Sequence, residues 1–375
     1  MLEKDLKRNI NSLVCECISE GKLARKALEK FVRDNNFGSG LRREVADYFY
    51  CAVRFYGIFI ENPDSFDCAK AYERLEKERS FGNILNIIKL AGFDEKIGEY
   101  IRKSISLDTL CELFYRAPLS IRVNSLKTSR DRLLADLLSK GYSSAATEIS
   151  PFGITFIDHI NARQLPEFKK GMFEIQDEAS QLIPFCMQIK PGEKILDYCS
   201  GYGGKALSIA SMIFGAADIF IYDINQKRLA TALKRSKIAS AKLKKYKNGL
   251  QKFDKVLVDV PCSGLGAMRR DADLPVRLKS RDIENFVITQ RDIFSEALKN
   301  VRQGGYITYS TCSFLKEENE KQVEYFLENH KVKLVDINEI LDKKYIHQLA
   351  LDTFFKTSPA VNGMDCLFAA TFQVL

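Results

Sequence analysis

The sequence predicts an α/β fold with a parallel sheet, preceded by a helical region, and three patterns support this. The first is residues 194–210, KILDYCSGYGGKALSIA, where a short apolar run ends at Asp197, and a glycine-dense turn leads into a helical pattern from about Lys205. Strand, tight turn and helix in this order present backbone N–H groups to nucleotide-like ligands. Such a turn is also compatible with a purely structural connection.

The second pattern is a continued alternation of strands and helices after about residue 171. Apolar segments at 218–223, 253–259 and 305–311 each end in polar or nucleophilic residues, and VKLVDI and LFAATFQV are later strand candidates. The carboxyl ends of parallel strands form the edge at which open α/β sheets bind ligands. Asp223 stands 19 positions after Gly204, where an acidic residue can accept hydrogen bonds from ribose hydroxyls.

The third pattern is helical periodicity over residues 1–115, which predicts a small all-α bundle. Between the two regions, 119–124 and 154–158 alternate like strands and 128–140 like a helix, so a small α+β module is expected. The predicted domains are therefore 1–115, 116–171 and 172–375. Arg122 and Asn124 lie on the strand face opposite Ile121 and Val123, where they either contact phosphate or are simply exposed.

Composition restricts the partners and the compartment. The chain has 375 residues and a formal net charge of +8, which suits a polyanionic partner without requiring one. Its ten cysteines include no C-x-x-C pair, and its three histidines are isolated, so we expect neither a disulfide framework nor a metal site. The N-terminus is charged and no apolar run could span a bilayer, so we expect a cytoplasmic monomer without membrane contact.

Two cysteines stand at predicted strand ends, Cys262 in DVPCSG and Cys312 in STCS. A single cysteine in an α/β protein is more often a small buried apolar residue. Two cysteines at the ligand-binding edge favour a nucleophile instead. Pro261 stiffens the turn before Cys262 and so restricts where its thiol points. A thiolate is a strong nucleophile where neighbouring groups lower its pKa.

These residues lie in motifs that resemble the Sun (Fmu, nucleolar-protein) family of RNA cytosine-5 methyltransferases. The resemblance covers about residues 116–375. It is carried by FEIQDEASQ (173–181), DYCSGYGGK (197–205), YDINQKRL (222–229), DVPCSG (259–264) and STCSFLKEENEKQV (310–323). The helical region is similar, by order and length, to the antitermination-factor NusB-like domain of bacterial ribosomal RNA methyltransferases. The resemblance thus implies a Rossmann-like methyltransferase sheet preceded by a small α+β RNA-binding module and a NusB-like bundle.

The resemblance also implies a reaction and its residues. Cys312 would attack C6 of a flipped cytosine, Cys262 would assist release of the product, and Asp259 would bind the N3 and N4 edge of the base. S-adenosylmethionine would be the cofactor, with Asp223 on its ribose. The residues expected around the cofactor are Cys199, Ser200, Gly201, Tyr202, Gly203, Gly204, Lys205, Asp223 and Asp259.

The expected RNA contacts are Arg122, Asn124, Arg269 and Arg270, the last two because they closely follow DVPCSG. A basic run between Lys234 and Lys247 is equally compatible with a solvated helix face. The chain departs from the family in its turn, SGYGGKA where A-P-G-G-K-T is usual, and in DCLF (365–368) where D-G-F-F is usual. Its segment 236–253 offers no aspartate to bind the adenine.

The leading hypothesis is therefore an RNA (cytosine-5-)-methyltransferase that acts on 16S ribosomal RNA. Transfer RNA is an alternative substrate. Two other classes stay open: a catalytically decayed RNA-binding or ribosome-assembly protein, and a nicotinamide-dependent oxidoreductase, since Gly201-x-Gly203-x-x-Ala206 loosely fits a dinucleotide turn. The oxidoreductase hypothesis leaves both cysteines unexplained.

Overall fold

The structure, a computed structural model, describes residues 2–247, 249, 251–349, 351 and 353–375. Its contacts divide the chain into two compact units. The first unit contains Met1–Arg116, Ser263–Asn285 and Phe314–Lys316. The second contains Ala117–Cys262, Phe286–Ser313 and Glu317–Leu375.

The N-terminal part of the first unit is helical, as the periodicity predicts. Its helices are α1 Lys4–Ser19, α2 Ala24–Asp34, α3 Ser39–Arg54, α4 Tyr56–Phe59, α5 Cys68–Ser80, α6 Ile84–Ala91, α7 Glu95–Ser104 and α8 Leu107–Glu112. Asp67, Asn83, Asp94 and Ser106 cap helix N-termini by accepting backbone N–H groups of the first turn. Val14, Phe49 and Leu75 are fully buried in its core.

The second unit begins with a small sheet. Its elements are β1 Leu119–Val123, α9 Arg130–Ser139, β2 Ser144–Ala146, β3 Gly153–Phe156, α10 Pro166–Lys169, β4 Phe173–Ile175 and α11 Glu178–Leu182. The strands pair antiparallel in the order β2-β3-β1-β4 over an apolar core that includes Ile121, Leu137 and Ile154. Because β4 pairs with β1, this sheet continues past residue 171.

The main sheet and its helices complete the chain. The elements are β5 Lys194–Asp197, α12 Gly204–Met212, β6 Asp218–Ile221, α13 Gln226–Ile238, β7 Leu243–Lys245, β8 Phe253–Asp259, α14 Leu274–Arg277, α15 Ser280–Leu298, β9 Val301–Thr311, α16 Glu320–Asn329, β10 Val332–Val335, α17 Ile337–Ile340, α18 Lys343–Leu349, β11 Phe355–Lys356, α19 Pro359–Asn362 and β12 Phe368–Val374. Short 3₁₀ helices lie at Pro63–Ser65, Ala162–Gln164, Ile183–Met187 and Leu265–Arg270.

The main sheet positions the site. Its strand order is β10-β12-β9-β8-β5-β6-β7, with β9, β8, β5, β6 and β7 parallel and β10 and β12 antiparallel to their neighbours. Strands β6 and β8 are the two neighbours of β5 in the sheet. After β5 the chain first adds strands on one side of it, β6 and β7, and then adds β8 on the other side. Ligands of such sheets bind at the carboxyl ends of the strands at this point. The predicted α/β fold is confirmed.

One further feature differs from the pattern-based expectations. Strand β7 lies inside the basic segment 236–253, where the sequence shows no strand pattern, because two of its three residues are exposed lysines at a sheet edge. Among the helices that the structure describes, none combines the length and the apolar character that crossing a bilayer demands.

Candidate active site

The two strand-end cysteines lie side by side. Strands β8 and β9 are parallel neighbours with Asp259 opposite Ser310, so the loops that follow them emerge together. The Sγ atoms of Cys262 and Cys312 are 3.4 Å apart, and both residues are partly exposed. The structure therefore brings together the two thiols that the sequence separates by 50 positions, and leaves them open to solvent.

A buried glutamine connects the two cysteine loops from behind. Gln290, in α15, donates its side-chain amide to the carbonyl oxygen of Pro261 over 3.1 Å and to Oε1 of Glu318 over 3.0 Å. Its own side-chain oxygen accepts from the hydroxyl of Tyr309 over 3.1 Å. Pro261 precedes Cys262, whereas Tyr309 and Glu318 flank the Cys312 loop, so one side chain positions both loops.

A second buried set fixes the loop of Cys312 itself. The hydroxyl of Thr311 donates to Oδ1 of Asn319 over 2.6 Å, and Nδ2 of Asn319 donates to the carbonyl oxygen of Ser313 over 2.9 Å. Thr311 and Ser313 are the two neighbours of Cys312, and both are buried. These bonds hold the backbone on either side of the thiol, which limits the directions in which it can point.

Asp259 lies beside the cysteines with both carboxylate oxygens engaged. Nζ of Lys205 lies 2.6 Å from Oδ2, and the hydroxyl of Ser310 donates to Oδ1 over 2.9 Å. The Asp259 side chain is 30% exposed, so its remaining lone pairs can still meet a ligand. Burial alone would lower the pKa of Lys205, but the charges of Asp259 and Cys312 raise it, so Lys205 stays an ammonium.

The glycine turn has the backbone that the sequence predicts. Gly201 and Gly203 have φ of 51° and 79°, a region that side-chain-bearing residues rarely adopt. A Cβ on Gly203 would lie 3.0 Å from that of Ala232 in α13, so the turn packs closely on this helix. Oδ2 of Asp223 accepts the N–H of Gly201 over 2.8 Å, which joins the ends of β5 and β6.

A buried carboxylate lies under this turn. Asp197, the last residue of β5, is 1% exposed, and within the described part of the chain no side chain hydrogen-bonds to its oxygens, although the backbone N–H of Ala206 acts on them. Burial, together with the nearby charge of Asp259, raises the pKa of Asp197 to about 7. The Oγ of Ser200 is also buried, without a partner among these residues. Unsatisfied buried polar atoms of this kind mark a place for a ligand.

Three of the four residues expected to contact RNA are buried. Arg122 is 1% exposed and donates Nε to Gln176 over 2.7 Å, and burial lowers its pKa to about 10 despite the Glu174 carboxylate. Asn124 is 3% exposed, and Arg269, in the first unit, is also buried. Arg270 is exposed. Burial excludes Arg122 and Asn124 from surface phosphate contact, which corrects their expected role.

Residues missed by sequence reasoning hold much of this site. Asp197 ends a strand at the ligand edge, so the rule that singled out Asp223 and Asp259 could have identified it. Ser310 stands in the STCS motif. Gln290 carried no signal, because one polar residue in an amphipathic helix pattern resembles any solvated position. Among the described residues, no group of three metal-ligating side chains converges.

Comparisons with known proteins identify the family of the chain. The model of the family described as 16S rRNA methyltransferase RsmB/F matches residues 184–373. The chain is 29% identical over 282 residues to a "Probable ribosomal RNA small subunit methyltransferase B" of Synechocystis sp., covering 70% of this chain and 63% of the relative. It is 31% identical over 236 residues to the "26S rRNA (cytosine-C(5))-methyltransferase nsun-1" of Caenorhabditis elegans, covering 58% of this chain and 35% of the relative.

A solved structure shows the same fold over the whole length. The crystal structure of PH0851 superposes with a TM-score of 0.75 at 21% identity, covering 99% of each chain. The chain thus spans 63% or less of the two curated relatives described above, and nearly all of this structural neighbour. The predicted family is confirmed: with half of its length matched by the family model, the chain belongs to the 16S rRNA methyltransferase RsmB/F family.

Proposed function

We propose that the protein is an S-adenosylmethionine-dependent RNA (cytosine-5-)-methyltransferase that acts on small-subunit ribosomal RNA. The observation that carries the proposal is the pair of Cys262 and Cys312, with Sγ atoms 3.4 Å apart beside the Lys205–Asp259 ion pair. Both residues are partly exposed, which is compatible with access of a substrate. Membership of the family supports the same activity.

The residues of the glycine turn suit the proposed cofactor. The Asp197 carboxylate, which no side chain of the described residues hydrogen-bonds, can accept the ammonium group of S-adenosylmethionine, and the backbone N–H groups at the start of α12 can bind the cofactor's carboxylate. Asp223 already accepts N–H groups from Gly201 and Asn225, and its free lone pairs can accept ribose hydroxyls. The cofactor supplies an electrophilic methyl group.

The protein's own residues then account for activating the base. The Cys312 thiolate would add to C6 of cytosine, which moves the ring electrons toward N3 and makes C5 nucleophilic. N3 takes up a proton from water as this charge develops, and Asp259, held by Lys205 and Ser310, would accept hydrogen bonds from N3–H and the N4 amino group. The Lys205 ammonium stabilises the negative charge while it develops. Once C5 carries the methyl group, N3 and C5 lose their protons to water, the C5–C6 double bond re-forms and the Cys312 sulfur leaves as a thiolate.

The family resemblance assigns release to the other cysteine. Cys262 lies next to the carbon–sulfur bond that must break, since its Sγ is 3.4 Å from that of Cys312. The proposed unit of activity is a monomer. Both cysteines must remain thiols, which supports action in the reducing cytoplasm.

Transfer of a labelled methyl group tests the proposal. The wild-type protein should label small-subunit ribosomal RNA, the Cys312→Ala variant should not, and the Cys262→Ala variant should accumulate a covalent protein–RNA complex visible on a denaturing gel. Transfer RNA, assayed in parallel, would identify the alternative substrate if it alone is labelled. Absence of transfer by the wild type, or full transfer by Cys312→Ala, would refute the proposed function.

A further inference from the structure

Four lysines surround an open groove on the second unit, away from the residues assigned above. They are Lys127, Lys169, Lys170 and Lys237, and we call this surface the lysine groove; Met172 and the half-exposed Ile238 also line it. All four lysines are exposed. Three come from the small-sheet module and Lys237 from the last turn of α13, so residues distant in sequence converge on one concave surface.

None of these lysines forms an ion pair with a carboxylate among the residues that the structure describes. Nζ of Lys127 donates to the carbonyl oxygen of Lys170 over 2.7 Å, which leaves its charge uncompensated. Nearby Lys140, by contrast, has carboxylates of Asp136 and Glu167 at 2.7 Å and 2.5 Å. Like charges gathered without acidic partners repel each other, and a bound polyanion removes that cost.

The groove is held in shape by buried contacts. Nδ2 of Asn124 donates to the carbonyl oxygens of Gly171 and Ala239, both over 2.8 Å, and so joins its two walls. Gly171 has a φ of 69°, and a Cβ there would lie 2.6 Å from the carbonyl oxygen of Ile238. The lysines therefore stand on a fixed frame, and ligand binding need not assemble the groove.

Helix α13 connects the lysine groove with the glycine turn. Ala232 packs against Gly203, and the guanidinium of Arg235 donates to the carbonyl oxygen of Tyr202 and pairs with Glu174. Lys237 lies five residues beyond Ala232, or about 7.5 Å along the helix axis at 1.5 Å per residue. Because α13 begins where β6 ends and runs back along the sheet, Lys237 lies further than Ala232 from the strand ends that carry the cysteines.

We propose that the lysine groove binds the phosphate backbone of the substrate RNA at a distance from the modified cytosine. The identity of the ligand as RNA rests on the proposed function. Ammonium groups contact phosphates as point charges, and the lining contains neither an arginine fork nor an aromatic ring on which a base could stack. The groove accordingly adds affinity that is independent of base sequence and falls steeply with salt.

A triple variant, Lys169→Gln/Lys170→Gln/Lys237→Gln, tests the groove by fluorescence anisotropy with a labelled fragment of small-subunit ribosomal RNA. We plot log affinity against log salt concentration between about 50 and 200 mM. The slope should become shallower by about 2, because each lost contact to a single-strand phosphate removes about 0.7. Affinity near 100 mM salt should fall at least about tenfold. S-adenosylmethionine binding by calorimetry should be unchanged, which shows that the fold is intact.

The matched control is Lys331→Gln/Lys333→Gln/Lys343→Gln, which removes the same charge near β10, at the opposite edge of the main sheet. It should keep the wild-type slope. Equal slopes for both triple variants, or groove-dependent binding to phosphatidylserine vesicles without RNA binding, would overturn the proposal. If the triple variant weakens RNA binding but the wild type transfers no methyl group, the proposed function is refuted while the groove is still an RNA-binding surface.

Discussion

The side-chain amide of Gln290 donates to the carbonyl oxygen of Pro261 over 3.1 Å, which ties the interior of α15 to the loop that carries Cys262. The same side chain accepts from Tyr309, in the strand that leads to Cys312. The distance between the two sulfurs is thus controlled by a neutral residue that touches neither of them.

Replacing Gln290 by leucine should misalign the two thiols. The change leaves the Pro261 carbonyl and the Tyr309 hydroxyl without this partner in a buried setting, at a cost of about 1–3 kcal/mol in the free energy of unfolding. Methyl transfer should fall about 10- to 100-fold, because small misplacements of reacting groups are costly. Cofactor affinity should hold. Gln303→Leu, at an exposed position, is the control; equal transfer rates in both variants would contradict the assignment.

Removing the Lys205 ammonium should slow the chemical step. Lys205→Gln takes away the charge 2.6 Å from Asp259, and we expect single-turnover methyl transfer to drop about 10²-fold, as for loss of one group that stabilises developing charge. Lys244–Asp218 is an exposed pair at the same distance, so Lys244→Gln should change transfer little. A single-turnover rate within about twofold of wild type for Lys205→Gln would exclude this role.

Asp197 should make stability depend on pH. Its pKa rises from an ordinary 3.8 to about 7 in the folded protein. Between these two pH values the folded state therefore keeps a proton on Asp197 that the unfolded state has lost. Its contribution to the free energy of unfolding is therefore largest below pH 4 and disappears as the pH rises through about 7. The Asp197→Asn variant should lack this pH-dependent contribution. At pH 8 and without ligand, its free energy of unfolding should exceed that of the wild type by up to about 4 kcal/mol. Urea denaturation at several pH values measures it.

The same carboxyl should release a proton when the cofactor binds. An ammonium group beside Asp197 lowers its pKa, so calorimetry near pH 6.5 should give binding enthalpies that vary with the ionisation enthalpy of the buffer. Asp197→Asn should remove that variation and weaken binding. Asp218→Asn, at an exposed carboxylate, should preserve both; buffer-independent enthalpies for the wild type would disprove the placement of the ammonium.

Asn124 should act on stability rather than on RNA contact. Asn124→Ala removes both hydrogen bonds to the carbonyl oxygens of Gly171 and Ala239, and should cost about 1–3 kcal/mol in the free energy of unfolding. Asn329→Ala, at an exposed helix position with a single bond to Tyr325, should cost less than about 1 kcal/mol. An Asn124→Ala variant of wild-type stability with weakened RNA binding would restore the role first expected of it.

Residues at strand ends were accessible to prediction, because a parallel sheet collects the carboxyl ends of its strands at one edge. This reasoning brought Asp223, Asp259, Cys262 and Cys312 together before any coordinates, and the structure shows the two sulfurs in contact distance. The paired motifs in turn identified the family. The roles of these residues follow from that family and remain proposals.

Other parts depended on three-dimensional contacts that a linear pattern does not contain. Arg122 in β1, and Asn124 directly after it, alternate with apolar residues and therefore resemble an exposed face, yet both are buried. Strand β7 lacks apolar alternation because it lies at the sheet edge. The hydrogen bonds of Gln290 and the lysines of the groove each bring together residues that are far apart in the chain. Only the folded structure shows these contacts.

The closeness of the two sulfurs has a cost for the protein. Two thiols 3.4 Å apart need only a small loop movement to join covalently, with two electrons and two protons passing to an oxidant such as hydrogen peroxide. Neither cysteine could then attack a base. Peroxide exposure should therefore inactivate the protein without unfolding it, and dithiothreitol should restore it. The arrangement proposed to serve catalysis thus also makes the centre vulnerable to oxidative stress.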